Sequence, residues 1–319
     1  MKTKQLKAAR SDFTFIDLFA GIGGTRLGYE SAGGKCVFTS EWDASAQKTY
    51  EANFGEMPHG DITKISTKDI PDFDVLLAGF PCQPFSSIGQ RKGFEHKTQG
   101  TLFYDVARII KDKRPKAFML ENVQGLLTHD QGRTLSTILE VLNELEYDVQ
   151  YKLLNAAHFG VPQMRKRVYI VGIDRHLKNI DPSTFAFPEG DETNLPDIGD
   201  YIETGVEGYT ISEKLQKNYL FKLDDGRPKL LDKDTKGPAK TLVASYHKIQ
   251  RLTGTFVKDG PTGLRLFTEN ECKALMGFPK DFKVPVSRTQ MYRQFGNSIV
   301  VPVVTAVAKQ LKPYIMTGE

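Results

Sequence analysis

The sequence predicts an α/β fold: a doubly wound, mostly parallel Rossmann-like sheet with a second, smaller β-rich domain. Three observations predict it. Strand-like and helix-like segments alternate from Phe13 to about Ile173, the pattern of a sheet whose crossovers are helices. The first strand runs straight into the glycine-rich turn Ala20-Gly21-Ile22-Gly23-Gly24 and then a helix, a nucleotide-type binding turn. Near Asp181 the alternation stops, and the chain to about Gly263 is poor in helical period and rich in Asp, Lys, Gly, Pro and Thr.

The elements follow in order. Phe15 to Phe19 is a strand, Gly24 to Ser31 starts a helix, and Cys36 to Trp42 is a second strand. Asp43 is a helix N-cap for the segment to Asn53, because a short acidic side chain can accept from the first free backbone amides. Val75 to Phe80 is an apolar run that reads as a buried strand. Leu102, Val106, Ile109 and Ile110 share one helical face, and that helix stops before Pro115. Ala117 to Asn122 is a strand, Thr134 to Leu145 a helix, and Val149 to Leu154 and Arg167 to Ile173 the last strands of this part. Short β-like pieces are expected at Lys240 to Tyr246 and Arg251 to Val257. Thr268 to Met276 reads as a helix, as does the tail from Val300 to Leu311, interrupted early by Pro302.

Composition narrows the classes. The chain has 319 residues, 39% hydrophobic and 26% charged, with a net charge of +4, an ordinary globular composition that is permissive for nucleic acid. Its three cysteines, Cys36, Cys82 and Cys272, are too few and too scattered for a disulfide framework or a zinc site, so no metal is expected. A reducing compartment, the cytoplasm, is the natural assignment. The basic N-terminus is followed by no apolar stretch of signal-peptide length, and no run is expected to span a membrane. From Lys222 to Arg251 there are eight Lys or Arg against four Asp, a local basic excess in the second region.

The chemistry-bearing residues sit where strands end. Pro81-Cys82-Gln83 closes the run Val75 to Phe80, placing one thiol at the carboxyl end of a strand, where open α/β sheets put their ligand crevice; a buried, inert cysteine is the alternative. The stretch from Ser86 reads as a loop carrying Arg91 and Lys92. Arg26 stands where the dinucleotide fingerprint needs its third Gly or Ala, so the turn departs from the dehydrogenase pattern. Glu41, twenty residues after Gly21, can accept from both ribose hydroxyls. Trp42 can stack on a purine, and Asp61-Ile62 can contact adenine. That set suits an adenosine ligand without a diphosphate. Glu121 ends an apolar strand, so its carboxyl is expected to have a raised pKa fit for proton donation at neutral pH, or else to cap the strand structurally. Arg165 and Arg167 alternate around Lys166 and share one side, either to lower a thiol pKa and bind a carbonyl or as a solvated basic face.

Together these residues describe a reaction. A thiolate adds to an electron-poor ring carbon, a neutral carboxylic acid protonates the adjacent ring nitrogen, and the enamine that forms attacks an adenosine-bearing sulfonium methyl donor. Cytosine fits, with attack at carbon 6, protonation at nitrogen 3 and methylation at carbon 5.

On these residues the chain resembles the DNA cytosine-5 methyltransferases of compact bacterial or phage restriction–modification type. The family's motifs stand in order: 17–24, Glu41-Trp42, Asp61-Ile62, Gly79-Phe80-Pro81-Cys82-Gln83, Gly100-Thr101-Leu102-Phe103, Glu121-Asn122-Val123, Gln163-x-Arg165-x-Arg167, 265–279 and Gly296-Asn297-Ser298. They cover nearly the whole chain except about 182–238. The resemblance implies that Cys82 is the nucleophile and Glu121 the acid, with Arg165 and Arg167 orienting the cytosine and the nucleophile. It implies S-adenosylmethionine as cofactor, converted to S-adenosylhomocysteine. The implied cofactor site is Phe19, Gly21, Gly23, Glu41, Trp42, Asp61, Ile62, Pro81, Leu102, Asn297 and Ser298. The partner is double-stranded DNA, from which the target base is flipped out. The organisation implied is a catalytic domain at 1–180 completed by 294–319, a target-recognition domain at 181–264, and a hinge and packing segment at 265–293. Expected DNA contacts are Gln83, Ser86, Ser87, Arg91 and Lys92 in the loop. In the second region they are Thr241, part of a Thr-Leu element resembling the family's, and Tyr246, His247, Lys248, Gln250 and Arg251, which suit base edges or phosphates. A monomer is expected, with a cognate restriction endonuclease as a system partner without stable association. The rival is the tRNA-methylating branch of the same family, whose Cys-Phe-Thr signature is absent, since no Cys lies between Cys82 and Cys272.

Overall fold

A computed structural model of the chain describes residues 11–81 and 102–316. Six strands form one sheet: β1 (Phe13–Leu18), β2 (Gly34–Ser40), β3 (Val75–Ala78), β4 (Ala117–Val123), β5 (Tyr147–Asn155) and β6 (Lys166–Asp174), in the order β2-β1-β3-β4-β6-β5. The first four are parallel; β6 runs antiparallel to both β4 and β5. The reversal follows from chain length. Only residues 156–165 join β5 to β6, too few for the crossover that parallel pairing needs.

Helices α1 (Gly24–Ser31), α2 (Ala44–Phe54), α3 (Leu102–Lys113) and α4 (Arg133–Glu144) alternate with these strands. The strands are buried on both faces. Phe15, Val75, Leu77, Met119 and Val171 join one core with α1, while Ile16, Leu18, Leu76, Phe118 and Ile170 join a second with α3 and α4. The Asp43 cap agrees with the sequence reading, and Thr268 provides one that it did not draw. The Asp43 side chain accepts from the amides of Ser45 and Ala46, and a Thr268–Glu271 capping box opens α6 (Glu269–Met276).

The second region holds less regular structure than its sequence suggests. It contains α5 (Glu213–Leu215) and two parallel three-residue strands, β7 (Lys229–Leu231) and β8 (Thr255–Val257). The piece expected at 240–246 forms no strand. Its side chains continue the first core, to which Leu231, Leu242, Phe256 and Val257 belong.

Then come α7 (Arg288–Asn297) and α8 (Val301–Met316). An 18-residue window within 288–316 reaches a mean hydropathy of 1.3, enough by length and composition alone for a membrane span, which the sequence reading did not anticipate. The two helices are nonetheless separated at 298–300, and α8 buries Val303, Val304, Val307 and Leu311 in the core. Pro302 does not interrupt α8. It occupies the first turn, where no intrahelical amide partner is required.

Candidate active site

The carboxyl ends of β1, β2, β3 and β4 open onto a cavity of about 760 Å³, within the size range of small-molecule sites. It is lined on one side by Phe19, Gly21, Glu41, Trp42, Asp61, Ile62 and Leu102, with Asn297 and Ser298 closing the wall. On the other side stand Gly79, Pro81, Glu121, Arg165 and Arg167. The structure therefore brings the expected cofactor and catalytic residues it describes into one space, with one exception. Gly23 does not line the cavity. It caps α1 at φ 88°, and a side chain there would strike Phe54. Cys82, Gln83, Ser86, Ser87, Arg91 and Lys92 lie outside the described residues; Pro81, which lines the cavity, is the residue before Cys82.

The cofactor side is built from backbone and two carboxylates. Glu41 is nearly buried; one oxygen accepts from Gly21 N and the other from Asp43 N, each at 2.8 Å. Each oxygen keeps acceptor capacity towards the cavity. Burial holds its pKa above the ordinary value, against the pull of those two amides. Asp61 accepts from the hydroxyl and amide of Thr63, and its pKa falls. Phe19 has φ 56°, a conformation that bulky residues rarely adopt and that concentrates at ligand sites. Trp42 is 76% exposed, leaving its ring free to stack.

On the catalytic side, Arg167 Nε lies 3.1 Å from Glu121 Oε1. Burial raises the Glu121 pKa, and Arg167 and Arg165 oppose it only in part. Asn122 Nδ2 donates to Phe80 O at 2.9 Å, tying β4 to the end of β3 just before Pro81. A Cβ at Gly79 would stand 3.7 Å from Glu121 Oε2, so the second carboxyl oxygen faces that strand end.

Arg165 is placed differently from Arg167. It is 3% exposed, and its terminal nitrogens donate to Leu242 O, Gly296 O and Ser298 O. Burial and the neighbouring Arg167 bring its pKa down to about 10. The sequence assigned both arginines to orienting a base and a nucleophile; the structure engages Arg165 with three backbone carbonyls. Gln163, given no role from sequence, accepts from Leu242 N at 2.6 Å and donates to Leu275 O at 2.8 Å. Its place in the Gln-x-Arg-x-Arg motif was the available signal.

Two expected DNA-reading side chains are interior, and this corrects the sequence reading. The Tyr246 hydroxyl donates to Thr255 O and accepts from Phe267 N, and its ring stacks on Phe267. Arg251 is 7% exposed, donates to Leu220 O and Leu223 O, and pairs with Asp225. Both bury large side chains whose polar atoms are satisfied within the fold, so neither is presented to a groove. Thr241 donates to Met164 O at 2.5 Å. Lys248 and Gln250 are exposed and His247 half-buried. Replacing Arg251 with Ala strips buried carbonyls of their donor, at a cost of about 1–3 kcal/mol. Urea denaturation is expected to show that loss. Unchanged stability with an altered methylated sequence would return Arg251 to the readers.

Among the described residues no cluster of three His, Cys, Asp or Glu side chains could hold a metal. Cys36 and Cys272 are free and buried. Burial pushes the Cys36 thiol up to about 12 and that of Cys272 well above its ordinary value.

A family model described as C-5 cytosine-specific DNA methylase matches residues 13–313. The Type II methyltransferase M.MspI of Moraxella sp is 59% identical, across 97% of this chain and 73% of its own length. The Type II methyltransferase M.BsuFI of Bacillus subtilis is 60% identical, across 96% of this chain and 74% of its own. Among solved structures, the S. pombe Dnmt2 methyltransferase superposes with a TM-score of 0.75 at 23% identity, covering 94% of this chain and 99% of that one, a likeness of fold.

Proposed function

The chain belongs to the C-5 cytosine-specific DNA methylase family and is a DNA cytosine-5 methyltransferase of restriction–modification type; from that premise we propose that it methylates a flipped-out cytosine through a covalent Cys82 adduct, using S-adenosylmethionine. The observation that carries this reading is a juxtaposition. The Glu121–Arg167 pair and the strand end at Pro81 share one cavity with Glu41, Trp42, Asn297 and Ser298.

The residues present fit an adenosine-bearing cofactor. Glu41 offers acceptors for ribose hydroxyls and Trp42 an exposed ring for a purine face. The glycine-rich turn spends one of its amides on a carboxylate, which disfavours a diphosphate there. S-adenosylmethionine bound at this wall supplies an electrophilic methyl group. The Cys82 thiolate adds to carbon 6 of the cytosine. Glu121, whose pKa burial raises, serves as the acid that gives its proton to nitrogen 3, and carbon 5 becomes nucleophilic. Arg167 holds the Glu121 carboxyl in place. After methylation, water takes the carbon 5 proton, the double bond is restored as the thiolate leaves carbon 6, and nitrogen 3 returns its proton to Glu121. The buried state of Cys36 and Cys272 supports Cys82 as the reacting thiol.

Region 181–264 is assigned to target recognition, 265–293 to packing between domains, and 1–180 with 294–319 to catalysis. The exposed Lys248 and Gln250 are the candidates retained for base or phosphate contact. The place of work is the bacterial cytoplasm, and the protein acts as a monomer without stable association with an endonuclease.

The test is transfer of a labelled methyl group to unmethylated bacterial DNA and to total tRNA, followed by mapping of the modified base. Label at carbon 5 of cytosine in a short DNA sequence is expected. Label confined to RNA, or to an exocyclic nitrogen, overturns the reading. Glu41→Ala removes the acceptors of two backbone amides as well as the ribose partner. A charge-assisted hydrogen bond contributes about 1.5–3 kcal/mol, so cofactor affinity is expected to fall about 10–100-fold in equilibrium dialysis. Single-turnover rate at saturating cofactor should change much less.

A further inference from the structure

One face of α7 looks into the cavity. Gln290, Arg293, Gln294 and Asn297 all line it, at the three- and four-residue spacings that stack side chains on one side of a helix. Gln294 is engaged within the fold, donating to Ser45 O at 2.8 Å and accepting from Thr49 Oγ1 at 2.9 Å. That anchors α7 against the start of α2, beside Trp42. Gln290 is not so engaged. Its Oε1 is buried and has no hydrogen-bond partner. A buried amide oxygen without a donor is costly, and this residue stands on a cavity wall, where an arriving donor can satisfy it.

The charges around the cavity lead to Arg293. The carboxylates lining it are Glu41, Asp43, Asp61 and Glu121, and the cations among the described residues are Arg165, Arg167 and Arg293. Arg165 donates to three backbone carbonyls, and Arg167 lies against Glu121. The Arg293 side chain is 54% exposed, and its Nη2 stands 3.4 Å from Asp43 Oδ2, longer than an ordinary hydrogen bond. The other Asp43 oxygen is taken by the amides of Ser45 and Ala46. Asp43 thus holds the guanidinium at the cavity rim while most of its donors remain open to another acceptor.

We propose that Gln290 and Arg293 form a subsite for the amino-acid end of the cofactor, Arg293 taking its carboxylate and Gln290 Oε1 its ammonium. The inference rests on the S-adenosylmethionine reading above and extends it to the part of the cofactor that Glu41, Trp42 and Asp61 leave unaddressed. S-adenosylmethionine and S-adenosylhomocysteine both end in a zwitterion, an anion and a cation on one carbon. A carboxylate brought near Glu41, Asp43 and Asp61 without a cation is repelled. The planar guanidinium fork matches a carboxylate in two-point contact, and an amide oxygen accepts from an ammonium. Side chains three residues apart on a helix are neighbours, as are the two groups they would hold.

The experiment measures binding, not turnover, on the full chain. Labelled S-adenosylhomocysteine is displaced in equilibrium dialysis by three unlabelled probes. They are S-adenosylhomocysteine, its decarboxylated analogue, which keeps the amine, and its deaminated analogue, which keeps the carboxylate. The wild type should prefer the parent over each analogue by about 10-fold or more, the worth of a charge-assisted hydrogen bond. Arg293→Ala should cut the preference over the decarboxylated analogue below about 3-fold and keep the preference over the deaminated one. Gln290→Leu should do the reverse. Arg293→Gln and Gln290→Met repeat the test should either first variant fail to fold, judged by circular dichroism. A wild type that methylates DNA but binds all three probes alike overturns the subsite and leaves the function standing. Variants that weaken every probe by one factor also overturn it, making the two residues props of the cavity wall, and so do variants with wild-type preferences. A wild type that neither binds S-adenosylhomocysteine nor methylates DNA overturns the function itself, and the subsite with it.

Discussion

Replacing Cys82 with Ala is expected to abolish methyl transfer, a loss on the order of 10⁴-fold or more for removal of a nucleophile, while specific DNA binding and folding persist. The reason is chemical. Cytosine carbon 5 is a poor nucleophile until carbon 6 carries an added group, and the two cysteines among the described residues, Cys36 and Cys272, are buried with raised pKa. The decisive measurement uses a duplex with 5-fluorocytosine at the target. Fluorine cannot leave as a proton does, so the wild type and S-adenosylmethionine should accumulate a protein–DNA adduct that survives denaturant. Cys82→Ala should form none. Cys36→Ala and Cys272→Ala should form it normally, with at most a packing cost, since each removes only a buried sulfur. An adduct with Cys82→Ala, or its loss in either of the other two variants with folding intact, would reject the assignment.

Much of this site was legible because its parts obey local rules. Strand ends, the glycine-rich turn and the cap at Asp43 follow from periodicity and from a side chain that answers free amides a few residues away. The convergence of Glu41, Glu121, Asn297 and Ser298 on one cavity followed from their positions at strand ends and from the family resemblance. What escaped was long-range satisfaction of polar groups. Arg251 stands in a Lys-rich stretch and looks like a phosphate contact. Its partners, Leu220 O, Leu223 O and Asp225, come from a loop 26 to 31 residues earlier, and nothing near Arg251 announces them. Tyr246 presents the same ambiguity, since an aromatic ring with a polar tip suits a groove and a core equally. Arg165 and Arg167 are two residues apart, yet one grips carbonyls at 242, 296 and 298 and the other pairs with Glu121. Alternation predicted that they share a side, and both line the cavity; only the folded chain shows which grips carbonyls and which pairs with Glu121. The antiparallel β6 was readable from the length of its connection but was not drawn from it.

Glu121→Gln is expected to lower single-turnover methyl transfer by about 10²–10⁴-fold, the usual contribution of a positioned acid, with cofactor affinity nearly unchanged. The amide keeps the shape of the side chain and a hydrogen bond to Arg167 but has no proton to give to nitrogen 3. The pH profile separates this from a structural role. Burial raises the Glu121 pKa against the opposing pull of Arg167 and Arg165, so the acid is protonated further up the pH scale than an exposed carboxyl. The rate should therefore fall as pH rises through the raised value, where the proton is lost, and the Gln variant should lack that descending limb. Stability carries the same sign. A carboxyl whose folded pKa exceeds its unfolded value stabilises the fold fully below the unfolded pKa, and that stabilisation is lost as pH rises through the folded one. Relative to wild type, Glu121→Gln should then become more stable on the alkaline side, because it no longer buries a carboxylate. A variant that loses activity, keeps the descending limb and is destabilised at every pH would make Glu121 a structural strut for Arg167, and another proton donor would have to be sought in the cavity.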